Sequence, residues 1–292
     1  MNYEKALEQA ILYIENHLGD PLTVEEVACH AGYSYYHLTR LFYALLGENV
    51  GGYIKKRRLS NAAGQLLYTD KRIIDIALDN GFESSEAFSR AFKSVYQASP
   101  VQYRKNRLDL FISAKPKVDQ QLMTHLTKNL TVHPRIVQLP DIKAAGLRGQ
   151  TSLSNNVLPD LWKQFTGMIP MIPHAVPDGR GFGICEACRD GNNLYTMNDD
   201  VLFSEVAALE VSSFEGLPRP FVPKVLQGGR YAVFTHTGGL RNLNLSFQYI
   251  WGTWFLKAEQ ELDNREDFEL YDERFLGSDH PENQIDLYIP IR

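Results

Sequence analysis

The feature that most limits what this chain can fold into is a self-repeat within its first hundred residues. Val24, Val27, Ala28, Gly32 and Tyr33 return 49 positions later as Ile73, Ile76, Ala77, Gly81 and Phe82. In the first copy, Thr23-Val24-Glu25-Glu26 has the spacing of a capping box, in which a hydroxyl and a carboxylate each satisfy a backbone donor at a helix start. Gly32 then supplies the positive φ of a tight turn, and Ser34 is placed to cap a helix from Tyr35 to about Leu46. The second copy repeats this, with Ser84 or Ser85 as the cap. Ahead of both, Leu7, Ile11, Ile14 and Leu18 mark a helix that Gly19-Asp20-Pro21 ends near His17.

The helical period sorts the faces. In the first copy Leu38, Leu41, Phe42 and Leu45 form the inner stripe and leave Tyr36, Thr39, Arg40 and Tyr43 outside. In the second, Phe88, Ala91, Phe92 and Val95 turn inward and Ser85, Glu86, Ser89 and Arg90 outward. Between the copies, Tyr53, Ile54, Leu59, Ala62, Ala63, Leu66 and Leu67 sustain one helix of about 18 residues, roughly 27 Å long. A rigid spacer of that length holds two helices near one turn of DNA apart, about 34 Å, so that both can enter the major groove on one side of a duplex.

These residues resemble the DNA-binding module of the AraC/XylS transcription regulators. The resemblance is carried by Gly81-Phe82-Glu83-Ser84-Ser85, Phe88-Ser89-Arg90-Ala91-Phe92-Lys93 and Ser99-Pro100-Val101-Gln102-Tyr103-Arg104, and covers residues 1–107. It implies promoter DNA as partner, RNA polymerase as a further one, and an activator as the commoner outcome. It places the base-reading positions on Tyr36, Thr39 and Arg40 and on Ser85, Glu86, Ser89 and Arg90. Chemistry backs these unequally. The guanidinium forks of Arg40 and Arg90 fit guanine O6 and N7. Tyr36 and Thr39 can meet a thymine methyl or a base edge, or merely pack against phosphate. Glu86 fits only by accepting from cytosine N4 or by pointing away. For Lys55, Lys56, Arg57 and Arg58 and for Arg104, Lys105 and Arg107, phosphate contact is open to some and a solvated surface is expected for most. His37 is expected in an intrahelical or capping role.

At 292 residues the chain has length for two cores. Its net charge of -5 is uneven: residues 1–107 hold 13 Lys+Arg against 12 Asp+Glu, and residues 108–292 hold 17 against 23. Three cysteines, with Cys29 expected on a buried helix face, imply no disulfide framework. No apolar run is long enough for a bilayer and the N-terminus reads as no leader, so a cytoplasmic protein without membrane contact is expected.

Residues 108–132 read as a linker or docking segment. From His133 strands set in: Arg135 to Leu139 and Lys143 to Gly149, then a helix with Leu158, Leu161, Trp162 and Phe165. The pattern recurs as Arg230 to Gly238 followed by a helix with Leu243, Phe247, Ile250, Trp251 and Trp254. Leu161-Trp162-x-x-Phe165 matches Ile250-Trp251-x-x-Trp254 at an offset of 89. The fold class expected is multidomain: an all-α double helix-turn-helix domain, then an α+β domain at 133–292 with an antiparallel sheet, a pseudo-twofold repeat and a groove between its halves.

Tyr231-Ala232-Val233-Phe234, the Trp251 helix, Phe268-Glu269-Leu270-Tyr271 and Asp286-Leu287-Tyr288-Ile289-Pro290-Ile291 resemble the gyrase-inhibitor-like small-molecule-binding domain. That resemblance implies a glutamate aimed into an aromatic pocket, here Glu269, with Tyr271, Trp251 and Trp162 around a polar or cationic effector. Glu269 as surface charge and the tryptophans as plain core are the alternative. Cys185-x-x-Cys188 has metal-like or redox-like spacing, but no second such pair accompanies it, and two strand cysteines are expected. No hydrolase elbow, zincin motif or phosphate loop is present, so neither catalytic residues nor a cofactor are expected. A hydrolase with Glu269 as general base and a protein-interaction module are the other readings of the second domain.

Overall fold

The computed structural model describes residues 3–106, 115, 117–152, 155–186, 203–255 and 260–292. The chain divides into two compact units, one of Met1–Lys128 with Asn244–Lys257, the other of Asn129–Leu243 with Ala258–Arg292.

The first unit is helical. Its elements are α1 (Tyr3–Asn16), α2 (Val24–His30), α3 (Tyr35–Leu46), α4 (Val50–Tyr68), α5 (Ile73–Asp79), α6 (Ser85–Tyr96), α7 (Pro100–Asn106) and α8 (Gln120–Lys128). The expected caps form. Thr23 and Glu26 close a capping box on α2, Ser34 accepts from the His37 amide at α3, and at α6 it is Ser84 that accepts from the Ala87 amide. The turns before α3 and α6 hold Gly32 at φ 73° and Gly81 at φ 69°, a region closed to most L side chains. Around the second repeat, Leu59, Leu66, Ile76, Phe88, Phe92, Tyr96 and Tyr103 make one core. In it the Phe92 ring meets Phe88, Tyr96 and Tyr103 at 5.3, 4.3 and 5.1 Å. Fully burying rings of this size contributes roughly 1.5–3 kcal/mol each.

Packing alters two expectations, that for Cys29 and that for the helix around Trp251. Cys29 is exposed, not buried: Val27 and Ala28 set the inner face of a seven-residue helix, and the next residue rotates out to solvent. Within 108–132 a helix, α8, buries Leu122, Met123 and Leu126 and packs on α1 and α3. The first unit also takes in α10 (Leu243–Tyr249) from Asn244 onward, and the turn of π-helix at Ile250–Trp254 where one continuous α-helix is expected. Trp251 lies there, 9 % exposed, with its ring 5.8 Å from that of Phe255.

The second unit is an eight-stranded antiparallel sheet. Its strands are β1 (Arg135–Leu139), β2 (Ile142–Thr151), β3 (Gly181–Cys185), β4 (Phe203–Glu210), β5 (Val222–Leu226), β6 (Gly229–Thr237), β7 (Asp267–Tyr271) and β8 (Gln284–Pro290), with α9 (Leu158–Met168) after β2. The order β1-β6-β8-β7-β3-β4-β2-β5 reads the same from both edges when β2, β3, β4 and β5 are exchanged for β6, β7, β8 and β1. The repeat expected from Trp162 and Trp251 is therefore built into the strand order, with its dyad between the paired β3 and β7.

Alternation gives the sheet two unlike faces. Phe182, Ile184, Val206, Ala208, Tyr231, Phe268 and Leu270 fill one. On the other, Ala145, Leu147 and Ala207 pack against Leu161 and Phe165 of α9. No helix among the described residues is long and apolar enough to cross a membrane.

Candidate functional site

On α3, Tyr36 is 63 % and Tyr43 57 % exposed, and Arg40 is exposed with its guanidinium 5.5 Å from the Tyr36 ring centre. Stacking of this kind fixes the direction of the fork without using its donors. Thr39 differs. It is half-buried, and its hydroxyl is buried without a hydrogen-bond partner among the described residues. His37 turns its ring back to the Ser34 hydroxyl at 2.9 Å, a capping contact.

On α6, Glu86 and Arg90 are exposed and Ser85 and Ser89 half-buried. Arg90 is the sixth residue of its helix, as Arg40 is of α3. Glu86 sits in the first turn, where backbone and serine donors hold its carboxyl below the usual range. The Ser85 hydroxyl lies 3.2 Å from it. A carboxylate there complements the unsatisfied amides and the positive end of the helix, which accounts for an acid on an otherwise donor-rich face.

The basic run on α4 is internal rather than solvated. Arg57 grips Glu15 with two nitrogens at 2.7 and 2.9 Å. Arg58 donates to the carbonyls of Leu18, Asp20 and Gly81, tying the turn of the second repeat to the end of α1. Lys56 reaches Glu48 at 3.3 Å. Lys55 alone of the four is exposed. Arg104 caps the carbonyls of Leu66 and Lys71; Arg107 lies outside the described residues.

In the second unit Asp267, Glu269 and Tyr271 alternate along β7 and so share the α9 face of the sheet, as the sequence spacing predicts. Tyr271 donates its hydroxyl to Glu269 Oε2, and its ring lies 5.0 Å from Trp162 of α9 and 5.1 Å from Phe275. Tyr271 is thus brought onto Glu269 and Trp162 onto Tyr271, whereas Trp251 belongs to the other unit. Burial pushes Glu269 up to about 7, against the Tyr271 hydrogen bond and with help from Asp267. Asp267 is pushed up to about 6 by burial.

One acidic residue of this face was not expected from sequence. Glu205 of β4 is only 7 % exposed, and burial together with the charges of Glu269 and Asp267 raises its carboxyl well above normal. A methyl group built on Gly183 of β3 would lie 2.8 Å from Glu269 Oε2 and 3.3 Å from Glu205 Oε1. Glycine here leaves room for two carboxylates to converge over the strand. The available signal was alternation: in Glu205-Val206-Ala207-Ala208-Leu209, Glu205 shares a face with Ala207. Cys185 ends β3 and is half-buried, and Cys188 lies outside the described residues. Among those residues no cluster of His, Cys, Asp and Glu is suited to a metal ion.

Comparison with known proteins bears on both units. The family of integron-associated effector-binding proteins matches residues 135–291, and a helix-turn-helix domain family matches residues 27–106. The right origin-binding protein of Escherichia coli (strain K12) is 28 % identical over 303 residues, covering 100 % of both chains. The regulatory protein SoxS of the same strain is 38 % identical over 104 residues, 36 % of this chain and 97 % of that one. An integron cassette protein of Vibrio cholerae, of known structure, is 15 % identical, covers 56 % of this chain and 97 % of its own, and has a TM-score of 0.41.

Proposed function

The chain belongs to the AraC-type DNA-binding transcription regulators, with an integron-associated effector-binding domain behind the helix-turn-helix domain, and we propose that it reads a two-part promoter site with α3 and α6 and adjusts transcription when a small cationic effector settles beside Glu269. The observation that carries this reading is the equivalence of Arg40 and Arg90. Both are exposed, both are sixth in a helix that follows a positive-φ glycine, and α4 between them is 19 residues, about 28 Å, long. That is close to one turn of DNA, about 34 Å. Each arginine bonded to a guanine discriminates by about 1–3 kcal/mol. Tyr36, Ser85, Glu86 and Ser89 supply the remaining base or backbone contacts, and Thr39, half turned in, supports the helix more than it reads.

For the effector, a half-buried carboxyl bonded by Tyr271, whose ring in turn meets Trp162, favours a cation with an apolar body, since charge and ring-face attraction both strengthen as water is excluded. Trp251 receives no ligand contact in this reading. Activation through RNA polymerase is the expected output, and ligand binding changes it only in so far as the ligand prefers one state of the regulator. Selection from a randomised duplex library by the full chain at fixed salt tests the DNA half: an enriched site of two parts about one helical turn apart supports it, and enrichment no better than background removes it. A carboxyl near pKa 7 also suits a general base, and hydrolysis of a bound ester that Glu269→Gln abolishes would favour an enzyme instead.

A further inference from the structure

We propose that Glu205 is a second anionic arm of the effector site, selecting cations that carry N–H donors, such as a primary ammonium, over cations of equal charge that carry none. The inference rests on the effector reading above and narrows it.

Three observations converge. Glu205 Oε1 is buried and has no hydrogen-bond partner among the described residues. An isolated carboxylate withheld from water is costly, and such a group is retained only with a partner that neutralises it or a proton that does. That same oxygen lies 3.3 Å from the Cβ position missing at Gly183, and Glu269 Oε2 lies 2.8 Å from it. The two oxygens therefore face one small space over the strand beside the dyad.

The third observation comes from the internal symmetry. Counted from the matching ends of β4 and β8, Glu205 corresponds to Ile285, which is fully buried, as are Leu287 and, nearly so, Ile289 further along that strand. The fold accepts an apolar side chain at this place in one half, so the carboxylate in the other half is not demanded by the sheet. Its presence next to Glu269, with one oxygen lacking a partner among the described residues, points to a ligand.

The ligand class follows from the acceptors. Tyr271 already donates to Glu269 Oε2, while Glu205 Oε1 receives no hydrogen bond from the described residues. A primary ammonium can give one N–H to each carboxylate at the short distances of charge-assisted bonds, about 2.7–2.9 Å. A trimethylammonium group has the same charge but no N–H, and its methyl shell holds the charge away from both oxygens. The discrimination thus comes from an acceptor left unpaired by the wrong cation, the strongest means a site has of rejecting an analogue.

The test uses the full chain and two probes that share one ring system, 2-naphthylmethylammonium and its N,N,N-trimethyl counterpart, titrated calorimetrically at pH 8. The wild-type protein should bind the primary ammonium about tenfold more tightly or better. Glu205→Ile, which copies the matching strand, should bring the two probes to near equality without weakening the trimethyl probe. Glu205→Gln, which keeps the shape, should act in the same direction and serves if the isoleucine variant does not fold. Glu269→Gln should weaken both probes. If the Glu205 variants leave the preference unchanged while Glu269→Gln weakens both probes, the effector site stands and Glu205 is not part of it. If the wild-type protein binds neither probe, the cationic reading of the site falls, and this inference with it.

Discussion

Lys115 places its ammonium 2.6 Å from Glu48 Oε1, with only 1 % and 2 % of the two side chains exposed. Its Nζ also bonds the Thr253 hydroxyl and lies 5.1 Å from the Tyr53 ring centre. Burial pulls the Lys115 pKa down and the Glu48 charge opposes that. Glu48 is shared, because Lys56 approaches its other oxygen. Removing one partner of a buried pair strands the other. Glu48→Gln strands two cations and should cost about 3–5 kcal/mol. Lys115→Met leaves Glu48 with Lys56 and should cost less, on the order of 2 kcal/mol. Urea unfolding of the two variants checks the order; equal losses would mean that Lys56 adds nothing.

The two turn glycines should respond differently to alanine. Both hold positive φ, which costs an L side chain about 1–2 kcal/mol. A methyl on Gly32 meets nothing within 4 Å, whereas one on Gly81 comes within 2.7 Å of the Arg58 guanidinium. Gly81→Ala must displace the group that ties Leu18, Asp20 and Gly81 together. It should therefore destabilise by on the order of 1 kcal/mol more than Gly32→Ala in the same unfolding assay.

The acidic cluster makes stability depend on pH. Glu269 is raised from 4.5 to about 7, so the folded state holds a proton that the unfolded chain has released. Its contribution is present in full below about pH 4.5 and is lost as pH rises through about 7. Glu269→Gln cannot titrate and should overtake the wild-type protein across this window, by on the order of 2 kcal/mol after allowing for solvent screening. Thermal melts of both proteins at pH 4.5 and 7.5 check this; parallel behaviour would place the Glu269 charge in water at both pH values.

Much of this was legible because it is local or periodic. The caps at Thr23, Ser34 and Ser84 lie within three residues of the amides they satisfy, and the repeats at offsets of 49 and 89 need only the sequence. The Glu269 and Tyr271 alliance follows from strand alternation. What sequence did not show depends on which face meets a neighbour. Arg57 and Arg58 read as surface charge until Glu15 and the Leu18 carbonyl, about 40 residues away, are folded against them. Thr39 lies at the edge of a stripe that helical period alone cannot bound to one residue. Glu205 acquires meaning only when the β3, β4 and β7 register brings it over Gly183 beside Glu269. Trp251 matches Trp162 in sequence, yet its segment, Asn244–Lys257, belongs to the helical unit, which a repeat within the sequence cannot reveal.

The central claim is that the two repeats read DNA separately through equivalent arginines. It is tested most directly by repeating the duplex selection with full-length Arg40→Ala and Arg90→Ala. Each variant should keep one part of the two-part site and lose base preference in the other, by about 1–3 kcal/mol at the affected position. If both variants weaken binding evenly and leave every base preference intact, the arginines hold only phosphates, and readout through Arg40 and Arg90 is contradicted.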